Sequence, residues 1–187
     1  MPHKLEVEYG LTASELLDAM NKRFRAKVTL EGAVAEVQME KQIRALQVAG
    51  VIVRYEEHDL DGYPDFTIWL PSRDEPIRAE CKNVRNTNEA YRSKGVITAY
   101  KVETQKTRTS NADPSSRFYG VGQFDFIGVC LGKKTRRWTQ FLYVKVEYLA
   151  VHVNYPGKLA AMQSVPLPDS PDLTPWTTDL ADLLMTF

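Results

Sequence analysis

Hydrophobic and polar positions along the chain change period several times, and each change marks an element. Thr12 to Glu15 (T-A-S-E) has the composition of a capping box, with Leu16, Leu17 and Met20 forming an apolar stripe behind it. From near Glu31 to Val48 the residues Val34, Val37, Ile43 and Leu46 recur at helical spacing, and Gly50 stops the helix. Glu36 and Glu40 lie one turn apart on it. The period then shortens. Val51 to Tyr55 is a β-branched run, Asp61 to Pro64 is a turn, and Asp65–Leu70 and Ile77–Lys82 are two further short strands. The turn-rich P-S-R-D-E-P between the last two makes them an antiparallel hairpin.

A helix is expected from Glu89 to about Arg108, interrupted near Gly95. Phe124 to Leu131 is almost continuously apolar and suits a buried strand. Gly132 to Arg137 reads as a turn and Trp138 to Val151 as another strand. After Asn154 the chain is proline-rich, and Pro175 opens a short amphipathic helix carrying Leu180, Leu183, Leu184 and Phe187. The order helix, three strands, helix, two strands describes an α/β fold, a mixed central β-sheet flanked by helices. A single domain is expected over residues 1–187, with its core at about 31–151 and a C-terminal extension at 155–187.

Composition changes this picture little. With 43% hydrophobic and 26% charged residues the chain supports a real core, which argues against general disorder. The net charge is zero, so any case for nucleic acid rests on local clusters. One runs through Arg85, Arg92, Lys94, Lys101, Lys106, Arg108 and Arg117. A second is Lys133, Lys134, Arg136 and Arg137. Neither a signal peptide nor a membrane-spanning run is apparent. Cys81 and Cys130 have no metal-ligand spacing and read as buried free thiols of a reducing, cytoplasmic compartment.

The chemistry lies on the hairpin. Residues two apart in a strand share a face, so Arg78, Glu80 and Lys82 face one way while Ile77, Ala79 and Cys81 face the core. Pairing Leu70 with Ile77 sets Thr67 against Glu80, Asp65 against Lys82 and Trp69 against Arg78 as a cation–π pair. Asp65 and Glu80 then converge diagonally on one cation. A register slip of two residues would put them directly opposite, and a slip of one would separate them. Two carboxylates form a hard-oxygen site suited to Mg²⁺, leaving positions for water and a phosphate oxygen. Lys82 beside that water would orient it or help deprotonate it. His3, His58 and His152 are scattered, and Asp125 between two phenylalanines reads as structural.

Pro64-Asp65, a hairpin, then Glu80-Cys81-Lys82 resembles the motif of the PD-(D/E)xK phosphodiesterase superfamily, which includes many restriction endonucleases. Glu80-Cys81-Lys82 is the only E-x-K in the chain. The likeness covers roughly Glu31 to Val151 and implies a restriction-endonuclease-like core. It also implies Asp65 and Glu80 as metal ligands, Lys82 as the residue assisting the water, and a helix glutamate near the metal. Glu36 is the best match for that glutamate and Glu40 the fallback. Gln105 is followed four residues later by Thr109 rather than Tyr, so the exonuclease-like subgroup is not supported.

The function these features imply is Mg²⁺-dependent endonucleolytic hydrolysis of double-stranded DNA, with Mn²⁺ able to substitute. A sequence-specific, type II-like restriction enzyme is the first expectation, acting as a homodimer because one such site cuts one strand. A junction or flap nuclease and an inactive DNA-binding module of the same fold are the alternatives. Arg85, Gln105, Lys106, Arg108, Arg117, Lys133, Lys134, Arg136 and Arg137 are the expected DNA contacts.

Overall fold

The computed structural model describes residues 2–60, 62–86, 88–106 and 112–187. Arg108 and Thr109 lie outside them, as does Asp61 of the expected turn. The chain divides into two compact units, Met1–Val34 and Ala35–Phe187.

In the first unit, α1 (Lys4–Tyr9) and α2 (Ala13–Asn21) are both held by capping boxes. Thr12 and Glu15 form the second of these, as the T-A-S-E pattern predicts. His3 and Glu6 form the other, and Gly10 ends α1 in the left-handed region at φ 64°. Glu6 also accepts the Ala13 N–H at 2.7 Å, tying the start of α2 to α1. Helix α3 spans Phe24–Val48, seven residues longer at its start than its apolar spacing suggests. Gly50 follows it at φ 77°, a conformation that suits glycine.

The second unit is built on a mixed five-stranded sheet. Its strands are β1 (Arg54–Glu57), β2 (Phe66–Trp69), β3 (Ile77–Asn83), β6 (Phe126–Cys130) and β7 (Phe141–Lys145), in that spatial order. Only β3 and β6 run parallel, and the other neighbours are antiparallel. The fold is therefore α/β with a mixed sheet and helices, as expected.

One face of this sheet carries Ile77, Ala79, Cys81, Phe126, Cys130 and Tyr143, packed with Ala35, Met39 and Ile43 of α3. Gly128 makes that approach possible, because a Cβ there would lie 2.8 Å from Met39 Sδ and 3.0 Å from Tyr143 Cε1. Helix α5 (Leu180–Leu184) closes the same core through Leu180, Leu183 and Leu184. Asp179, rather than Pro175, opens it by capping the Ala181 and Asp182 N–H groups. The opposite face carries Ile127, Val129, Leu142 and Val144, packed with Val84, Val102, Leu159 and Val165.

That second core corrects an expectation. Glu89 to Arg108 is not helical where it is described. It forms β4 (Ala90–Ser93) and β5 (Val96–Glu103), which pair as a hairpin. Lys94 and Gly95 both have positive φ, 48° and 83°, as a tight two-residue hairpin turn requires. The β-branched run Val96-Ile97-Thr98 favours strand over helix, and the glycine marks the turn rather than a helix interruption. Strand β8 (Met162–Val165), unforeseen in the proline-rich region, completes this three-stranded sheet against β5. The basic stretch after Gly132 folds as a short helix, α4 (Gly132–Thr135). Among the described residues no helix is long and apolar enough to cross a membrane.

Candidate active site

Strand alternation positions the site. Phe66 and Ile68 are buried on the α3 face with Ile77, Ala79 and Cys81, which leaves Asp65, Thr67, Arg78, Glu80 and Lys82 to the other. The observed register pairs Thr67 with Arg78 and Ile68 with Ile77. It is two residues away from the pairing of Leu70 with Ile77. Continued by one residue, it brings Asp65 opposite Glu80, so the even slip keeps both carboxylates on one face. The same slip removes the expected contact of Trp69 with Arg78. Trp69 instead pairs with Arg54, whose guanidinium carbon lies 3.3 Å from the ring centroid.

Asp65 is held by the backbone. Its Oδ2 accepts the Cys81 N–H at 2.7 Å and lies 4.0 Å from Lys82 Nζ. Lys82 Nζ also donates to Glu80 Oε1. Beside Glu80 and Lys82 in the parallel register stand Ile127 and Val129, both fully buried. These neighbours account for the burial of Glu80, whose side chain is 4% exposed.

A carboxylate with little water around it is costly to ionise, and a neighbouring acid adds to that cost. Burial pushes the Asp65 carboxyl up to about 7, with Glu80 and Glu36 adding to the rise while Lys82 and the Cys81 N–H oppose it. For Lys82, burial alone would favour the neutral amine. The Glu80 and Asp65 carboxylates outweigh it and hold the ammonium above the ordinary lysine range. Lys82 is therefore charged. Burial also raises Glu36, against the pull of Lys82 and with the push of Asp59, Glu57 and Glu80. Glu40 is engaged elsewhere, with Arg44 and Tyr55, and its carboxyl is lowered chiefly by the Tyr55 hydroxyl. Glu36, not Glu40, is the helix glutamate in electrostatic reach of the site.

Tyr119 completes the group. Its hydroxyl donates to Glu80 Oε1 at 2.5 Å, and its ring centroid lies 5.5 Å from Lys82 Nζ and 5.7 Å from Lys106 Nζ. Sequence reasoning missed it, because no periodicity or motif links a tyrosine to a strand 39 residues away. The aromatic run F-Y-G beside a basic segment is the one weak signal.

The expected DNA contacts divide by environment. Gln105 bridges to Phe118, the Lys106 N–H donates to Arg117 O at 2.8 Å, and Arg117 donates to Gln105 Oε1 at 2.5 Å. This ladder gathers Gln105, Lys106 and Arg117 next to Tyr119. Arg85, by contrast, is spent on Glu89 and Glu103. Lys134 donates to the carbonyls of Asn86 and Glu89, and burial lowers its pKa. Lys133 lies with it in α4, while Arg136, which ends α4 at φ 62°, and Arg137 are exposed. Asp125 is structural, since it accepts from the Arg78 backbone N–H at 2.7 Å and from its guanidinium at 2.9 and 3.1 Å. Cys81 and Cys130 are buried free thiols, and burial pushes both up.

The donor set suits a hard divalent cation. Asp65 and Glu80 supply carboxylate oxygens on one face, and a bound cation would offset the desolvation that raises Asp65. Among the described residues no group of three or more His, Cys, Asp or Glu is arranged to hold a metal.

No family model matches the chain, and no curated protein matches it. Among solved structures, the chain is similar to a bacterial homing endonuclease, I-Ssp6803I, at 17% identity and a TM-score of 0.46, over 79% of this chain and 83% of that one. At such a distance, function is decided by the chemistry of the site itself.

Proposed function

We propose that this protein is a Mg²⁺-dependent endonuclease that hydrolyses DNA phosphodiester bonds, cutting duplex DNA at a specific sequence as restriction enzymes do. The observation that carries the proposal is the meeting of Asp65, Glu80 and Lys82 within a few ångströms, with burial raising Asp65 to about 7.

Asp65 and Glu80 would hold the cation. Bound there, Mg²⁺ supplies charge neutralisation at the phosphate and a water of lowered pKa. Lys82 donates hydrogen bonds, because its ammonium is already charged. It suits a place beside the attacking water or a phosphate oxygen, orienting and stabilising negative charge rather than removing a proton. Glu36 adds acidity from α3. Lys106 and Arg117, gathered beside Tyr119, suit the phosphates on either side of the scissile bond, and the exposed Arg136 and Arg137 suit phosphates further off. Two copies of the chain are needed for concerted cutting of both strands.

The test is incubation of a long duplex DNA with Mg²⁺ and the native protein, Asp65→Ala or Lys82→Ala, each verified as folded. Discrete fragments from the native protein alone support the proposal and reveal the recognition sequence at their ends. Cutting confined to junction or flap substrates would replace sequence specificity with structure specificity while keeping the chemistry. No cleavage of any of these substrates, together with no divalent-cation binding, rejects it.

A further inference from the structure

Glu80 Oε1 is doubly engaged. Lys82, from the same strand, and Tyr119, from a segment 39 residues away, both donate to it. A carboxylate oxygen has two lone pairs, so Oε1 is saturated. Glu80 Oε2 accepts no hydrogen bond among the described residues.

Tyr119 is itself firmly seated. Its ring meets Phe124 edge to face, with centroids 5.4 Å apart at 77°. Its carbonyl accepts the Leu159 N–H at 2.8 Å, and the neighbouring Phe118 bridges to Gln105. A phenol fixed at both ring and backbone holds the oxygen it donates to. Lys82 cannot do this alone, because its flexible stem lets the ammonium follow the carboxylate.

We propose that Tyr119 is the positioning residue for Glu80. Its hydroxyl fixes the rotation of the carboxylate, so that Oε1 is taken by protein donors and Oε2 is left for a divalent cation. The proposal rests on the reading of Asp65 and Glu80 as the cation site. Outer partners that orient a metal ligand contribute substantially to affinity without touching the metal.

Tyr119→Phe removes the hydroxyl and keeps the ring, so the contact with Phe124 and the two lysines beside the ring persist. Mn²⁺ binding without DNA, followed by calorimetry, is compared for the native protein, Tyr119→Phe, Tyr119→Ala and Glu80→Gln, with thermal unfolding of each measured first. The expected result is a Tyr119→Phe protein that binds Mn²⁺ about tenfold more weakly. Its metal-free Tm should stay within about 3 °C of native. Tyr119→Ala should lose both affinity and Tm, because it also removes the packed ring. With substrate, the Tyr119→Phe defect should shrink as Mg²⁺ is raised, a loss in metal affinity rather than in the chemical step.

Equal Mn²⁺ binding by Tyr119→Phe and the native protein overturns the positioning role and leaves the cation site standing. Weaker binding accompanied by a large fall in Tm makes the hydroxyl a structural bond, which also overturns it. If the native protein and Glu80→Gln alike bind no Mn²⁺, the cation site itself is rejected and the role of Tyr119 with it.

Discussion

The backbone N–H of Cys81 donates to Oδ2 of Asp65 at 2.7 Å, locking the first carboxylate of the site to the strand that carries the second. Because Cys81 lies between Glu80 and Lys82, one hydrogen bond sets Asp65 relative to both. The core face of β3 thus does more than fill space. The buried Cys81 side chain anchors the strand, and its amide holds the acid on the other side.

Asp65→Asn keeps an acceptor for that amide and removes the charge. The Asp65 pKa is raised in the folded protein from 3.8 to about 7, so the folded state binds more protons than the unfolded state between those values. Stability tied to this group is fully present below about pH 4 and is lost as pH rises through about 7. In metal-free buffer at pH 8, Asp65→Asn is expected to be more stable than the native protein by about 1–2 kcal/mol, and inactive. Chemical denaturation at pH 8 and pH 4 checks this, with the two proteins converging at the lower pH. A native protein more stable than the variant at pH 8 would contradict it.

Protonation of Asp65 also competes with the cation. Mg²⁺ affinity is expected to fall as pH drops below about 7, by up to about tenfold per pH unit. Calorimetric titrations at pH 6, 7 and 8 read this directly. Identical affinities at all three would exclude Asp65 as a ligand.

Lys82→Ala leaves the buried Glu80 carboxylate without its ammonium partner. Removing one member of a buried pair is costly, so a loss of about 2–3 kcal/mol is expected in metal-free protein. Saturating Mg²⁺ should return part of it, because the cation replaces the missing charge. Cleavage should fall at least about a hundredfold even where the fold is recovered. Thermal unfolding with and without Mg²⁺ separates the two effects, and a variant whose Tm ignores Mg²⁺ would argue against a cation at Glu80.

Gly128→Ala tests the seat of α3. The added methyl would sit 2.8 Å from Met39 Sδ, in a core where Met39 is fully buried. A destabilisation of about 1–3 kcal/mol is expected. Because Glu36 lies one turn before Met39 on α3, activity should fall further than the population of folded protein does. A variant of unchanged stability would show that Met39 has room to move.

Lys94→Asn addresses the β4–β5 turn. Lys94 sits at φ 48°, where asparagine is better tolerated, and Asn-Gly is the preferred pair for such a hairpin. The substitution is expected to raise stability by about 0.5 kcal/mol with cleavage unchanged. A lower Tm would mean that the lysine makes a compensating contact.

Much of this protein follows from interactions between near neighbours in the chain, and that part was legible beforehand. Thr12 and Glu15 cap a helix because both partners lie within one turn. Glu80 and Lys82 share a face because strand side chains alternate, whatever the rest of the chain does. The apolar run Phe124 to Leu131 contains a fully buried strand, Phe126–Cys130, because its side chains offer almost nothing to water. Tertiary structure decided what depends on distant partners. The hairpin register lies two residues from the pairing of Leu70 with Ile77: burial of Phe66 and Ile68 against α3 excludes the odd slips, while local alternation leaves the choice among even slips open. Residues 90–103 became a hairpin because β8 and the second face of the main sheet give those strands something to pair with and pack on. Arg85 and Lys134, basic in the sequence, are spent on acids and carbonyls that only folding brings near. Tyr119 reaches Glu80, and Asp65 acquires its raised pKa, for the same reason: burial and charge pairing act through space, and no local pattern encodes the partner.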